Sequence, residues 1–266
     1  MEFQDILYSE SAGVATIAIN RPSRLNAFRG VTVDELNEAF QTAGWNKAIG
    51  VIVLTGTGTT AFCTGGDQAV HEGSYDGRGT VGLAIEALQT VIRDVPKPVI
   101  ARVNGFAIGG GNVLATICDL TIAARSAQFG QVGPRVGSVD PGFGTALLAR
   151  TIGEKRAREF WYLCRRYSAD EACAMGLVNK VVDDGELDRE VALWCSELLQ
   201  RSPTALALAK RSFNADTESI RGISMLGIQA LALYYDTDES REGVDAFMQK
   251  RKPEFRRFRG GPGSGP

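Results

Sequence analysis

Residues 97–124 read KPVIARVNGFAIGGGNVLATICDLTIAA, and this stretch decides the fold expected for the chain. Val99–Val103 is rich in β-branched residues and follows a proline, so it predicts a buried strand. Gly109–Gly111 opens a predicted helix at Asn112–Asp119, and Leu120–Ala124 predicts a second buried strand. Strand, glycine turn, helix and strand in such short succession are typical of an α/β protein.

The same alternation continues on both sides of this stretch. Tyr8–Asn20 predicts a pair of strands, Val31–Ala43 a helix, and Ile49–Thr55 another buried strand. Val81–Arg93 is amphipathic at helical spacing. Because a unit of strand, strand and helix recurs about every 40 to 50 residues, the sequence predicts a coiled or spiral α/β core.

The C-terminal part of the chain has a different pattern. From Glu154 onward the predicted elements are almost all helical. We therefore divide the chain into a spiral core over residues 1–200, a helical region over residues 201–258 that packs on the core or on a neighbouring subunit, and a flexible tail over residues 259–266. The tail is expected to be flexible because GGPGSGP offers no apolar surface to bury.

Composition and charge exclude several functional classes. With 266 residues, of which 44% are hydrophobic and 23% charged, the chain is long enough to form one sizeable core. A net charge of −2 and a pI near 5.6 provide no general attraction to nucleic acid or to an anionic membrane. The sequence has no apolar run of about 18 residues. Its acidic start is unlike a signal peptide, so we expect a cytoplasmic protein.

The sequence also lacks the patterns that hold metals and redox cofactors. Its five cysteines are scattered without C-x-x-C spacing, and we expect them to be reduced packing residues. No cluster of His, Asp and Glu has ligand spacing, and no GxGxxG motif opens a βαβ unit. We therefore expect neither a metal nor a redox cofactor.

Two glycine-rich loops form the first candidate site, FCTGGD at residues 62–67 and NGFAIGGGN at residues 104–112. Glycine lets a ligand approach the main chain, and the helix N-terminus after the second loop adds N–H donors. Two donors that converge on one oxygen would form an oxyanion hole for acyl chemistry. From spacing alone, ordinary structural turns explain these loops equally well.

Four motifs in register resemble the enoyl-CoA hydratase/isomerase, or crotonase, family over nearly the whole chain. They are INRPSRLNAF (19–28), AFCTGGD (61–67), the stretch 97–124 and FGQVGP (129–134). The resemblance implies an α/β fold with a crotonase-type ββα spiral core and a C-terminal helical trimerisation region. It also implies an acyl-CoA substrate, a homotrimer or dimer of trimers, and an oxyanion hole formed by the N–H groups of Gly66 and Gly110.

The same resemblance implies where coenzyme A binds. The residues that it assigns to CoA are Arg24, Ala27, Thr64, Asp67, Gln68 and Lys250. Lys250 would meet a phosphate, on its own subunit or an adjacent one. An arginine in a loop is by itself more often a solvated surface charge, so the role of Arg24 depends on the family pattern.

Two residues expected of a hydratase are absent. Hydratases of the family add water to a double bond with two glutamates, and the matching positions here are Val113 and Gly133. Neither side chain can transfer a proton, so simple hydration is not expected. Ser138 and Asp140 follow, and in an extended segment they project to the same side. The alternative is that they cap the helix predicted at Thr145–Ile152.

Further segments resemble two enzyme groups within the family. One group, the 1,4-dihydroxy-2-naphthoyl-CoA synthases, closes a ring, and the closer one, the 2-ketocyclohexanecarboxyl-CoA hydrolases, opens a ring. The segments are HEGSYDGRG (71–79), GSVDPG (137–142), WYLCRRY (161–167), SPTALALAKRSFN (202–214) and YYDTDESREG (234–243). The synthases place a tyrosine late in the first segment, where this chain has Arg78, with Tyr75 earlier; this departure weakens the naphthoate reading.

The ring-opening resemblance implies roles for individual residues. Asp140, aided by Ser138, would transfer protons at a ring ketone, and Tyr235 would hydrogen-bond the carbonyl or protonate the α-carbon. His71, the only histidine, is a candidate for activating water, although a lone histidine in a loop is more often a bystander.

The resemblance also implies a site for water or for a small anion such as bicarbonate, formed by Gln131, Gly133 and Trp161. In naphthoate enzymes with glycine at the Gly133 position, bicarbonate supplies the missing carboxylate. An interpretation from another functional class is that the protein is a non-catalytic scaffold that binds a CoA thioester or RNA. The proton-transferring side chains and the lack of a basic stripe argue against that reading.

Overall fold

Two β-sheets form the framework of the chain in its computed structural model, which describes residues 2–67, 79–140 and 142–259. The strands within these residues are β1 (Ile6–Ser11), β2 (Val14–Ile19), β3 (Val51–Gly56), β4 (Ala61–Cys63), β5 (Val99–Val103), β6 (Phe106–Ile108), β7 (Leu120–Ala124), β8 (Gln128–Gly130), β9 (Arg166–Ser168) and β10 (Lys180–Val182). The first sheet has the order β1-β2-β3-β5-β7-β10 and the second β4-β6-β8-β9. After β1 and β2, which both belong to the first sheet, each unit of the spiral adds one strand to each sheet.

Helices enclose the two sheets. Within the described residues they are α1 (Gly30–Trp45), α2 (Gly79–Gly82), α3 (Ile85–Asp94), α4 (Gly110–Ile117), α5 (Gly133–Val136), α6 (Ala146–Ile152), α7 (Glu154–Leu163), α8 (Ala169–Ala174), α9 (Leu187–Leu199), α10 (Pro203–Ala215), α11 (Glu218–Tyr235) and α12 (Asp238–Met248). In α1, Val33, Leu36, Phe40 and Ala43 recur at helical spacing and are fully buried, so this face closes one side of the core. Across the described ranges, no helix has the length and apolar character needed to span a membrane.

Strand pairing confirms the predicted α/β spiral. β1 and β2 are antiparallel, whereas β2, β3, β5, β7 and β10 are parallel neighbours. The strands predicted at Val99–Val103 and Leu120–Ala124 are β5 and β7. The predicted repeat of about 40 to 50 residues agrees with the interval between β3 and β5, which begin at Val51 and Val99, but is wrong for β5 and β7, because β7 begins already at Leu120. The first interval is longer because it includes α2 and α3.

The C-terminal half is less uniformly helical than the sequence predicted. β9 pairs antiparallel with β8, and β10 pairs in parallel with β7. A run of three residues is too short to show a period of two, and its backbone groups find partners only far along the chain. The helix predicted at Val81–Arg93 is also interrupted, since α2 ends at Gly82, a poor helix former, and α3 begins at Ile85.

The C-terminal helices pack on the core of the same chain. Lys210 of α10 is buried, and its Nζ donates to the carbonyl oxygens of Ile92 and Lys97, both at 2.9 Å, and to Asp119 Oδ2 at 2.7 Å. Asp119 also accepts a hydrogen bond from the Val99 N–H at 2.8 Å. Lys210 thereby ties α10 to the beginning of β5.

Replacing Lys210 by methionine is expected to lower the free energy of unfolding by about 2 kcal/mol, the scale for losing hydrogen bonds to a charged group. Urea unfolding followed by circular dichroism measures this change. Lys155→Met, at an exposed position in α7, is the matched control and should cost no more than about 0.5 kcal/mol. Equal losses in the two variants would contradict the anchoring role of Lys210.

Candidate functional site

A cavity of about 530 Å³ lies between the glycine-rich loops and the C-terminal helices. Its walls include residues of the loop 23–28, of the segments 64–67 and 106–110, and of the segment 131–140. Side chains of α3, α11 and α12 complete it. This volume is in the range of small-molecule and cofactor sites.

The two glycines predicted as oxyanion donors line this cavity. Gly66 forms a bridge with Phe28, in which the Phe28 N–H donates to Gly65 O and the Asp67 N–H donates to Phe28 O, both at 2.8 Å. Gly110 is the first residue of α4, where backbone N–H groups have no intrahelical acceptor. A Cβ placed on Gly65 would lie 3.0 Å from Gly110 N, so the two loops touch. The glycines Gly66 and Gly110 thus share one wall of the cavity.

A buried ion pair holds the loop that carries Gly66. Asp67 is 5% exposed, and its Oδ2 lies 2.9 Å from Arg21 Nη2. Arg21 also lies near Asp5, with 3.6 Å between Nε and Oδ2, and it donates a hydrogen bond to Ala27 O. The Asp67 carboxylate, which was predicted to contact CoA, therefore has Arg21 as a direct partner, and the pair orients the loop.

Of the other residues predicted to bind CoA, some line the cavity and some do not. Arg24, Ala27 and Thr64 line the cavity, and Arg24 is exposed. Lys250 follows α12 with a left-handed φ of 54°, is exposed, and is not among the described residues that line the cavity. The predictions that lie outside the described residues concern Gln68, His71, Tyr75, Arg78 and residues 260–266.

Ser138 and Tyr235, which are far apart in the sequence, meet at the cavity. Ser138 Oγ and Tyr235 Oη are 2.8 Å apart and share a hydrogen bond. Asp140 lies on the same loop as Ser138 and lines the same cavity, and burial raises the pKa of its carboxyl group to about 7. Such a pKa suits proton transfer near neutral pH. The capping alternative is wrong, because α6 begins after Thr145 without a side-chain cap.

Two C-terminal helices contact the chain on both sides of Asp140. On one side, Ser240 Oγ of α12 donates to Gly137 O at 2.6 Å. On the other side, a Cβ on Gly142 would lie only 2.7 Å from Ser224 Cα of α11, so the close approach requires glycine. Together with the hydrogen bond between Ser138 and Tyr235, these contacts hold Gly137, Ser138 and Gly142 against α11 and α12.

The backbone around Gly133 leaves no room for a side chain. A Cβ at this position would lie 2.6 Å from Ser138 O and 3.0 Å from Trp161 Cζ3. Gly133 O in turn accepts a hydrogen bond from the Ser138 N–H at 2.9 Å. A glutamate could therefore occupy this position only if the loop that carries Ser138 moved.

Asp140 lies close to Val113, the second of the two positions at which hydratases carry glutamate. A Cβ on Gly144 would lie 3.1 Å from Asp140 Cγ, 3.2 Å from Val113 Cγ2 and 3.1 Å from Trp161 Cζ2. Asp140 and Val113 therefore flank the same point in space. In this part of the cavity the carboxyl group comes from the loop after α5 and not from α4.

Of the residues predicted to bind a small anion, Gln131 has polar atoms available for it, and Trp161 does not. Gln131 lines the cavity and is 1% exposed, and its Oε1 and Nε2 have no hydrogen-bond partner among the described residues. Trp161 uses its single indole N–H to donate to Gly144 O. Water or an anion here would thus bind Gln131 and not Trp161. For metals, the described ranges contain no group of three or more His, Cys, Asp or Glu side chains that could hold an ion.

Three residues that support the site were not predicted from the sequence. They are Arg21, Ser224 and Ser240. Arg21 belongs to a turn that ends in proline, and its acidic partners lie elsewhere in the chain. The serines lie on helices whose pattern does not distinguish a solvated hydroxyl from a buried one. A serine on the apolar face of an amphipathic helix is the signal that would have indicated both.

Known proteins share both the sequence pattern and the fold. The family model described as enoyl-CoA hydratase/isomerase matches residues 9–258. A solved enoyl-CoA hydratase from Mycobacterium avium subsp. paratuberculosis is 28% identical, with a TM-score of 0.87, over 96% of this chain and 99% of that one. One from Bacillus anthracis is 32% identical, with a TM-score of 0.75, over 94% and 98%.

A further solved structure is that of enoyl-CoA "hydrates" subunit I from Geobacillus kaustophilus. It is 34% identical, with a TM-score of 0.74, and the match covers 96% of this chain and 99% of that one. The family model and these structures each cover nearly the whole chain. The chain belongs to the enoyl-CoA hydratase/isomerase family, within the crotonase superfamily of enzymes that act on coenzyme A thioesters.

Proposed function

We propose that the protein is a 2-ketocyclohexanecarboxyl-CoA hydrolase, which opens the ring of 2-oxocyclohexane-1-carboxyl-CoA to give pimeloyl-CoA in anaerobic benzoate and cyclohexanecarboxylate degradation. The observation that carries the proposal is the hydrogen bond between Ser138 and Tyr235, beside Asp140, in the cavity that Gly66 and Gly110 also line. The two positions at which hydratases carry glutamate have no carboxylate here. The prediction of a cytoplasmic location belongs to the same proposal.

The first chemical step is the addition of water to the ring ketone. Asp140 accepts a proton from the water as its oxygen bonds to the ketone carbon. Ser138 and Tyr235 hydrogen-bond the ketone oxygen, which becomes negatively charged in the tetrahedral adduct. The raised pKa of Asp140 allows it to take this proton and later release it near neutral pH.

The second step is the cleavage of the C–C bond. When the adduct collapses, the bond between the former ketone carbon and the α-carbon breaks, and its electron pair forms the thioester enolate. The N–H groups of Gly66 and Gly110 stabilise the enolate oxygen. Tyr235 then gives a proton to the α-carbon, and the proton held by Asp140 restores the tyrosine. The net change is the addition of one water molecule.

The roles of His71 and of a bound anion in the proposed reaction remain predictions. His71 is a candidate for assisting the activation of water, and its position lies outside the described residues. The anion would be bicarbonate or another small one, and the buried amide of Gln131 supports it because both of its polar atoms lack a partner among the described residues.

A second candidate activity is that of a 1,4-dihydroxy-2-naphthoyl-CoA synthase, a ring closure in menaquinone biosynthesis. The arrangement of Ser138, Asp140 and Tyr235 favours it as well, since the same groups serve C–C bond formation and cleavage through an enolate. Incubation with 2-oxocyclohexane-1-carboxyl-CoA and with succinylbenzoyl-CoA, followed by mass spectrometry, separates the two. Ring opening adds one water to the first compound, whereas ring closure removes one from the second. If neither mass changes, both assignments are wrong.

The proposal includes a homotrimer or a dimer of trimers, supported by an exposed apolar surface on the C-terminal helices. Leu226 and Leu233 of α11 are 72% and 74% exposed, and Phe213 of α10 is 77% exposed. By helical spacing, Leu226 and Leu233 share the side of α11 opposite Leu231, which is buried. Large exposed apolar side chains that share one side of a helix, as Leu226 and Leu233 do, are typical of protein–protein interfaces.

The double variant Leu226→Asp/Leu233→Asp is expected to convert the assembly to monomers, because charges would replace apolar contacts at the interface. Light scattering after size-exclusion chromatography measures the mass. Leu193→Asp, at a site in α9 that is 52% exposed, is the control and should keep the wild-type mass. A monomeric wild type, or an unchanged double variant, would reject this interface.

A further inference from the structure

Gln89 is a polar residue on the buried face of an amphipathic helix. Five residues of α3 are buried, and their spacing places them on one face of the helix, against the core. They are Ile85, Leu88, Gln89, Ile92 and Arg93. The other polar residue among them, Arg93, donates from Nη2 to Thr217 Oγ1 at 2.6 Å and stacks on the Phe143 ring at 5.3 Å. Arg93 therefore links α3 to its neighbours. Gln89, in contrast, lines the cavity.

One end of the Gln89 amide is fixed by the protein. Ser224 Oγ of α11 donates to Gln89 Oε1 at 3.0 Å, and the two residues are 4% and 3% exposed. Gln89 Nε2 donates to no residue that the structure describes. Because Ser224 occupies the oxygen, the amide presents its two N–H groups as donors on the cavity side. Gln89 is only 3% exposed and lines the cavity, so a ligand oxygen in the cavity can accept a hydrogen bond from this amide.

Gln89 and Tyr235 mark opposite ends of one cavity wall. Ser224, the partner of Gln89, precedes Tyr235 by about three turns of α11, or about 16 Å. Between them, Ile228 and Leu231 line the cavity at helical spacing. The wall is therefore polar at both ends and apolar in the middle, which suits an acyl chain that carries an oxygen at its far end.

We propose that Gln89 is a specificity-determining residue that binds the carboxylate at the far end of the opened acyl chain. This inference rests on the proposed function. Before cleavage, the ketone carbon is bonded to the α-carbon beside the thioester. After cleavage, the same carbon ends a flexible chain and its carboxylate can lie far from Tyr235. A hydrogen bond from Gln89 Nε2 to this carboxylate is charge-assisted and therefore stronger than a neutral one.

Equilibrium binding of pimeloyl-CoA and heptanoyl-CoA tests the proposal, since the two thioesters differ only in the terminal carboxylate. Wild type should bind pimeloyl-CoA more tightly. Gln89→Leu should weaken pimeloyl-CoA binding about tenfold, the value of one such hydrogen bond, and heptanoyl-CoA binding by less than about twofold. Gln89→Glu should weaken pimeloyl-CoA binding further, because it sets two carboxylates against each other. Unchanged heptanoyl-CoA binding shows that the variants are folded.

Two controls sharpen the test. Gln41→Leu, at an exposed position of α1, should leave both affinities unchanged. Ser224→Ala should weaken pimeloyl-CoA binding by less than Gln89→Leu does, because the donor is retained and only its orientation is lost. The proposal fails if wild type does not prefer pimeloyl-CoA, if Gln89→Leu leaves its affinity unchanged, or if both ligands lose affinity equally.

The binding test is independent of turnover, so the inference and the proposed function can fail separately. If wild type does not open the ring but Gln89 controls the preference for pimeloyl-CoA, the proposed reaction is wrong and the role of Gln89 stands. If wild type opens the ring and Gln89→Leu binds both thioesters as wild type does, the reaction stands and the role of Gln89 is wrong.

Discussion

Asp140→Asn is expected to lower kcat about a thousandfold, the usual scale for removing a general acid or base. The amide has nearly the same shape as the carboxyl group but cannot accept a proton from water. Because Asp140 acts on the ring in the proposed mechanism, affinity for the CoA portion should change little. Steady-state kinetics with 2-oxocyclohexane-1-carboxyl-CoA measure kcat, and binding of pimeloyl-CoA measures the affinity. Retention of wild-type kcat would remove Asp140 from the mechanism.

The pH profile should carry the signature of the same group. Burial raises the pKa of Asp140 to about 7, and the carboxyl group must be ionised to accept a proton. In wild type, kcat/KM should therefore rise with pH and level off above about pH 7. The residual activity of Asp140→Asn should lack this rise. Asp188→Asn, at an exposed site in α9, is the matched control and should keep the wild-type profile.

Stability should change with pH in the opposite sense. The folded-state pKa of Asp140 lies above the ordinary aspartate value of 3.8, so the folded protein favours the protonated form. The stabilisation that this form contributes is present below pH 3.8 and is lost as the pH rises through about 7. Above that pH, Asp140→Asn should be at least as stable as wild type in thermal unfolding. Loss of activity with retained stability then reports on chemistry and not on folding.

Gly133→Ala is expected to lower kcat about a hundredfold, although it adds only one methyl group. That methyl would lie 2.6 Å from Ser138 O and 3.0 Å from Trp161 Cζ3, so the loop that carries Ser138 must move. A displacement of about 1 Å at a catalytic group is enough for a hundredfold loss. Kinetics with the ring substrate measure the effect, and the loss should appear in kcat more than in KM.

Gly222→Ala is the matched control for this substitution. A Cβ on Gly222 of α11 meets nothing within 4 Å, and alanine favours a helix, so the variant should keep wild-type activity and stability. A Gly133→Ala enzyme with wild-type kcat would show that the loop tolerates the methyl group. In that case the absence of a hydratase glutamate at this position would have no steric cause.

The sequence alone determined the framework of the protein. The β-branched runs at Val99–Val103 and Leu120–Ala124 predicted β5 and β7, because burial of such runs is decided within a few residues. The glycine loops around Gly66 and Gly110 were candidates for a site because a close backbone approach requires a residue without Cβ, but from spacing alone structural turns explained them equally well. The four motifs in their order predicted the family, which the match over residues 9–258 confirms.

Only the tertiary structure decided how the side chains of the site combine. Ser138 and Tyr235 are 97 residues apart in the sequence, and their 2.8 Å contact exists because α11 packs against the part of the chain that carries Ser138 and Gly142. The lack of space at Gly133 and the orientation of Gln89 depend in the same way on neighbours far along the chain. A local pattern records which face of an element is buried. It does not record which distant atoms lie opposite that face. Such atoms determine both the clash at Gly133 and the hydrogen bond between Ser138 and Tyr235.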